Sequence, residues 1–160
     1  MPLHPFDPVR AALVASWAVG EEEVRSWWAA DGDVVPAEAV AEWSETDDVE
    51  AYLFAEDAGP YVAYGELWLD HEEGDLELAH LVVAPERRGQ GVGRALVQAL
   101  AEQARHAHPE LSLVVLRVQP ENDQAIRAYT AAGFVPVPDD QQEAWNQGQR
   151  ATYHWMVLPG

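Results

Sequence analysis

A chain of 160 residues has the length of one domain with a single sizeable core. It carries 28 acidic against nine basic side chains, a formal charge of −19, and 48% hydrophobic residues including seven Trp. That composition excludes a disordered tail, and it argues against binding duplex nucleic acid or an anionic membrane, which both need a basic footprint. The absence of Cys also removes disulfide and thiolate chemistry.

The charge is unevenly spread. Between Glu21 and Glu77 there are 19 acidic side chains and one basic one, Arg25. All nine basic residues are Arg, and Arg87, Arg88 and Arg94 cluster around a glycine-rich loop, which suggests an anion site. The N-terminal string MPLHPFDPVR lacks a basic region followed by an apolar one, so no secretory signal is expected. The apolar stretch 11–19 is too short for a bilayer, which takes roughly 20 residues. A cytoplasmic location is therefore the default expectation. A homodimer is compatible with the sequence, but nothing specifies one.

In chain order, 5–19 and 21–30 read as two short helices, with Trp17, Trp27 and Trp28 among the apolar positions. Residues 36–43 add one or two helical turns, with Pro36 at a tolerated first position. Strands are expected at 51–56, 61–69 and 76–83, with Gly59-Pro60 as a turn and 70–75 as a polar hairpin loop. From Val92 the apolar residues fall at helical spacing through Ala107, and Pro109 stops the helix. The run 111–118 is apolar enough for a strand buried on both faces. Asn122 can cap a helix that ends at Gly133. Residues 134–137 and 152–158 supply the last strands, joined by an acidic, amide-rich link at 138–150. The expectation is one α/β (α+β) domain spanning 1–160, with helices over a mixed sheet.

Strand, glycine-rich loop, helix is the order that seats a phosphate. A helix N-terminus offers unpaired N–H groups and about half a positive charge. Gly89, Gly91 and Gly93 let the backbone approach a ligand, and Arg88 and Arg94 could add charge-assisted contacts. A P-loop needs Lys, which this chain lacks. The dinucleotide pattern G-x-G-x-x-G also fails, because Arg94 and Leu96 stand where its last glycine belongs. What remains is Arg88-Gly89-Gln90-Gly91-Val92-Gly93, which resembles the [QR]-x-x-G-x-[GA] pyrophosphate loop of the GNAT acetyltransferase family.

A second segment carries the same resemblance. After the strand come Asn122, Ala125, Tyr129 and Gly133-Phe134, in the family's order and spacing. The resemblance is close over 76–134 and looser toward both ends. It implies a GNAT-like mixed, mostly antiparallel sheet with helices on both faces, acetyl-CoA as co-substrate, and no metal. It further implies that the backbone of Leu81, Val82 and Val83 holds the thioester carbonyl and pantetheine amides. The loop from Arg88 through Arg94 would hold the diphosphate. Asn122 would touch the pantetheine arm, and the Tyr129 hydroxyl would lie near the sulfur. Asn122 and Tyr129 are two helical turns apart and share a face; plain capping and plain core packing are their structural alternatives.

Acetyl transfer to an amine needs a neutral nucleophile, so something must accept a proton. Glu77 and His80 are the candidates, and three positions on a regular strand would point them to opposite faces. Glu77 resembles in position the glutamate used by histone-type members of the family, and an apolar strand would favour its protonated form through desolvation. His80 titrates naturally near neutrality, and ordered water is the third option. The phenol of Tyr129 could protonate the departing thiolate.

The acceptor is a small-molecule or peptide amine. The acidic stretch 21–77 would favour a cationic one by steering, unless that charge serves only solubility. His106 and His108 do not share a helical face, so no metal site is expected. No Ser lies in a G-x-S-x-G elbow, so a serine hydrolase is not supported. The competing function is a non-catalytic acetyl-CoA or CoA-binding sensor or assembly module.

Overall fold

The computed structural model describes residues 2–160. Seven strands form one sheet in the order β1-β2-β3-β4-β5-β7-β6. They are β1 (Leu3–Pro5), β2 (Val49–Ala55), β3 (Tyr61–Asp70), β4 (Asp75–Val83), β5 (Leu113–Val118), β6 (Val135–Pro136) and β7 (His154–Leu158). Every neighbouring pair is antiparallel except β4 and β5. Helices α4 (Val92–Ala107) and α5 (Asp123–Ala131) cover one face. The other face carries α1 (Ala11–Ala15), α2 (Gly20–Trp28), α3 (Ala37–Ser44) and α6 (Asp139–Asn146). The expected mixed, mostly antiparallel sheet with helices on both faces is the observed fold.

The packing follows from side-chain periodicity. Helix α4 buries Val92, Leu96, Val97, Leu100, Ala101 and Ala104 on one side. These meet Leu76 and Leu78 of β4, Val114 and Leu116 of β5, and Met156 of β7. Each large apolar side chain buried this way contributes about 1.5–3 kcal/mol. On the opposite face Val14, Val24 and Val40 pack with Leu53 and Tyr64. Farther along, Trp155, Val115 and Val137 form a third cluster with Trp145 of α6. Among the described residues, no helix is long and apolar enough to cross a membrane.

Three elements differ from expectation. Residues 3–5 pair with β2 as an edge strand, so the first helix begins only at Ala11, after Asp7 caps a tight turn at Pro8–Arg10. Residues 139–146 are helical, where a link was expected. Helix α6 has little apolar signal because its stability comes from tertiary bonds. The Gln142 side chain donates to the carbonyls of Val137 and Trp155, and Asn146 donates to that of Tyr153. Finally, β6 is only two residues long.

A fourth difference is in β4. Tyr64 pairs with Val82 and Glu66 with Ala79, so the single residue Gly65 opposes both His80 and Leu81. This is a β-bulge, and His80 adopts φ +51 within it. The parallel ladder to β5 ends just before, at Leu78 and Leu116. Beyond that point the β5-facing edge of β4 pairs with no described strand.

Candidate active site

The loop behaves as its glycines require. Gly91 sits at the N-terminal cap of α4 with φ +85, a conformation that a side chain with Cβ disfavours. No side chain caps the helix there, and the Ala95 N–H bonds to the Gly91 carbonyl at 3.1 Å. The N–H groups of the first turn are thus left for another acceptor. A Cβ built on Gly91 would meet nothing within 4 Å, so the loop is open on that side. A Cβ on Gly93 would lie 3.9 Å from both Val83 Cγ2 and Ala128 Cβ. The start of α4 therefore stands beside the end of β4 and beside α5, with Val83, Gly91 and Gly93 about the slot between them. Open backbone donors, a positive helix end and an unpaired strand edge fit a diphosphate with an amide-bearing arm.

Arg88 is used differently from the expectation. Its guanidinium donates to the Val83 carbonyl at 3.1 Å, the Trp17 carbonyl at 2.6 Å and Glu23 Oε1 at 2.9 Å. It staples the loop to β4, to the segment that follows α1 and to α2, so its charge is engaged by Glu23. Arg87 likewise pairs with Glu56 and donates to Gln90 Oε1. Arg94 stays exposed on the first turn of α4.

On α5, Asn122 caps the helix by accepting the Ala125 N–H at 3.2 Å. Its side chain is exposed, so capping occupies one lone pair and leaves the amide donors available. Tyr129 is half-buried against the α4 core. Burial alone pushes its hydroxyl up to about 12, so the phenol keeps its proton throughout the neutral range.

Glu77 and His80 share one face of the sheet, which corrects the expectation of opposite faces. The bulge breaks the alternation between them. Glu77 lies opposite Trp68, and His80 bonds to Glu66, two residues before Trp68 on β3. Glu77 is not the solitary carboxylate that an apolar strand implied. Arg117 of β5 grips it through both oxygens, Nε to Oε2 at 2.7 Å and Nη2 to Oε1 at 3.0 Å. The same guanidinium lies over the rings of Trp155, Tyr153 and Trp68.

His80 occupies a different setting. Its ring stacks on Trp43 at 3.7 Å, and Trp27 and Trp68 meet it edge-on. The Trp27 indole N–H donates to the His80 carbonyl at 2.9 Å, which holds the bulge. His80 Nδ1 lies 3.0 Å from Glu66 Oε1. Glu66 itself is fully buried, and it also accepts from the Trp68 indole at 2.8 Å and from the Tyr64 hydroxyl. Burial, then the neighbouring Glu66 charge, raises the Tyr64 phenol far above its ordinary range, so it remains a donor. Glu66 was missed in the sequence. The apolar alternation of YVAYGELWL marks it only as a polar residue on an inward-facing position.

A cleft of about 310 Å³ opens on this face, lined by Trp43, Asp47, Asp48, Glu66, Trp68 and His80 among others. The indoles of Trp43 and Trp68 form two of its walls. The described residues hold no group of three or more His, Cys, Asp or Glu arranged for a metal ion.

Residues 16–134 match the family model described as Acetyltransferase (GNAT) family. The fold is shared with the aminoglycoside acetyltransferase AAC(6')-Ib in complex with ribostamycin and coenzyme A. That match has 21% identity, covers 98% of this chain and 91% of that one, and has a TM-score of 0.74. It is shared with spermidine N-acetyltransferase from Vibrio cholerae in complex with CoA and spermine, at 15% identity, 98% and 93% coverage, and a TM-score of 0.72. A domain from Methanocaldococcus jannaschii DSM 2661 has the same fold at 10% identity, 98% and 96% coverage, and a TM-score of 0.72. With its family motif on an open helix N-terminus beside a bulged, unpaired strand edge, the chain belongs to the acetyltransferase (GNAT) family, whose enzymes use acetyl-CoA as co-substrate.

Proposed function

We propose that this acetyltransferase moves the acetyl group of acetyl-CoA onto a primary amine, and that the amine is cationic. The observation that carries the reading is the bulge at His80. It sets one edge of β4 free for a thioester arm, and on the same residue presents an imidazole to the neighbouring cleft. Acetyl-CoA supplies an activated acyl carbon when bound.

The residues then divide the remaining work. First-turn amides of α4 and the Gly89–Gly93 backbone hold the diphosphate. Amides of Leu81 to Val83 hold the arm and carbonyl, where fixed donors stabilise developing negative charge. His80 accepts the proton that an ammonium must lose before it can attack. Tyr129, protonated and half-buried on α5, donates toward the departing sulfur. Glu77 acts through Arg117 as a structural counter-ion of the sheet. Asp47 and Asp48 at the cleft, with the indole faces of Trp43 and Trp68, favour a positively charged acceptor. The aminoglycoside and spermine complexes of the two fold relatives accord with that class.

The test is thiol release from acetyl-CoA with spermine, kanamycin and a neutral-bodied monoamine as acceptors, at low and high salt. Polyamines should gain acetyl groups by mass spectrometry, with rates that fall as salt rises. Tight acetyl-CoA binding without thiol release from any acceptor would instead make the chain a sensing or assembly module. Turnover indifferent to acceptor charge and salt would remove the cationic class.

A further inference from the structure

Glu66 has no assigned part in the transfer, yet among the described residues it is the one carboxylate buried in the core. It is a fully buried carboxylate, and every described donor around it points inward: the Trp68 indole, the Tyr64 hydroxyl and His80 Nδ1. We infer that Glu66 is a positioning residue that locks His80 in the tautomer able to accept a proton. The inference rests on reading His80 as that acceptor.

A neutral imidazole carries one N–H, and its other nitrogen offers a lone pair. Free imidazole side chains exchange between the two arrangements, so a base that must present one nitrogen gains from a fixed partner on the other. Glu66 is that partner. Its Oε1 already accepts the Trp68 N–H, which cannot reverse its role, and an ionised carboxylate only accepts. Nδ1 of His80 must therefore carry the hydrogen in this bond, and Nε2 holds the lone pair.

The ring has no freedom to turn away. Trp43 lies flat against it, Trp27 and Trp68 close two sides, and Trp27 ties down the backbone at φ +51. Of the other carboxylates bordering the cleft, Asp47 and Asp48, neither bonds to the imidazole; Asp48 instead faces His71 at 3.8 Å. Arg117 lies over the Trp68 ring, 5.8 Å from its centroid, and its guanidinium is engaged by Glu77. An orienting carboxylate behind an imidazole, with the proton-accepting nitrogen toward substrate, is the logic by which buried acids organise histidine bases on unrelated folds. The strain of a non-glycine residue at positive φ is offset here by that arrangement of partners.

The test begins with the native chain, labelled with nitrogen-15 and observed at its histidine rings. The His80 resonances are assigned by their loss in His80→Gln. At slightly alkaline pH the ring should carry hydrogen on Nδ1 alone; a ring protonated on Nε2 overturns the inference without any Glu66 variant. Glu66→Gln should then mix the tautomers and lower kcat for spermine acetylation about 10²-fold, with KM for acetyl-CoA changed less than about threefold. Adding Glu66→Gln to His80→Gln should cost no further activity, because the carboxylate acts only through the imidazole. A full additional loss in the double variant would show a merely structural residue. Wild-type kcat in His80→Gln would sink the base reading itself, an outcome distinct from an Nε2-protonated ring in an enzyme that still needs His80.

Discussion

Gly65 and Leu81 compete for one space. A Cβ built on Gly65 would lie 2.8 Å from Leu81 Cδ2, and 2.6 Å from Leu100 Cδ1. The single glycine opposite the bulge lets Leu81 turn into the core while His80 turns to the other face. Gly65→Ala must push two packed leucines aside, and should cost about 1–3 kcal/mol as overpacking. Urea denaturation should show a lower midpoint at unchanged slope. Because the bulge borders the slot, acetyl-CoA affinity by calorimetry should fall as well; an unchanged affinity would separate the bulge from cofactor binding.

The Glu77–Arg117 pair makes a prediction that separates two roles for Glu77. As a counter-ion it is needed for stability, so Glu77→Gln should lower the melting temperature by several degrees, as expected for losing about 1–3 kcal/mol from a mostly buried pair. Its kcat should stay within about fivefold of wild type. A loss of more than about 10²-fold in kcat at unchanged melting temperature would return the base role to Glu77.

Tyr129 links activity and alkaline stability. With its hydroxyl pushed up to about 12, the folded chain keeps a proton that the unfolded chain releases near 10. The stability this contributes is full below pH 10 and is lost as pH rises from there through about 12. Urea melts at pH 9 and pH 11.5 should therefore show a decline, and Tyr129→Phe should make that decline shallower. At neutral pH the same variant should slow turnover about 10²-fold while leaving the acetyl-CoA dissociation constant nearly unchanged. Unchanged turnover would take the acid role from Tyr129.

Arg88 and Gly91 should fail in different ways. Arg88→Ala removes the staple to Val83, Trp17 and Glu23, so it should lower stability and weaken acetyl-CoA binding together. Gly91→Ala adds a Cβ in open space at φ +85, so backbone strain of about 1–2 kcal/mol is its only folded-state cost. It should raise the acetyl-CoA dissociation constant at least about tenfold, with a small stability change. Equal binding losses, with no stability change in either variant, would contradict the staple.

The glycine loop and the helices on either side of it were legible in the sequence because their determinants are local. A left-handed Gly91, a helix starting at Val92, a capping Asn122 and a stopping Gly133 are each decided by a few neighbouring residues, and backbone sterics act the same way in any fold. Helix α6 and strand β1 were not legible, since amide bonds to β7 and pairing with β2 hold them and their own propensity does not.

The proposed proton-handling side of the site was decided only by tertiary structure. Glu66 and His80 are fourteen residues apart, and Glu77 and Arg117 are forty apart; strand register alone makes each pair neighbours. Alternation along β4 put Glu77 and His80 on opposite faces, and one extra residue opposite Gly65 moved His80 across. A bulge leaves no mark in the residues that form it, because it arises from how two strands share their hydrogen bonds. Amino-acid order determined the glycine loop that opens α4, the proposed seat of the acyl donor, and cross-strand packing decided which side chains meet on the neighbouring face, because backbone sterics are local and strand register is not.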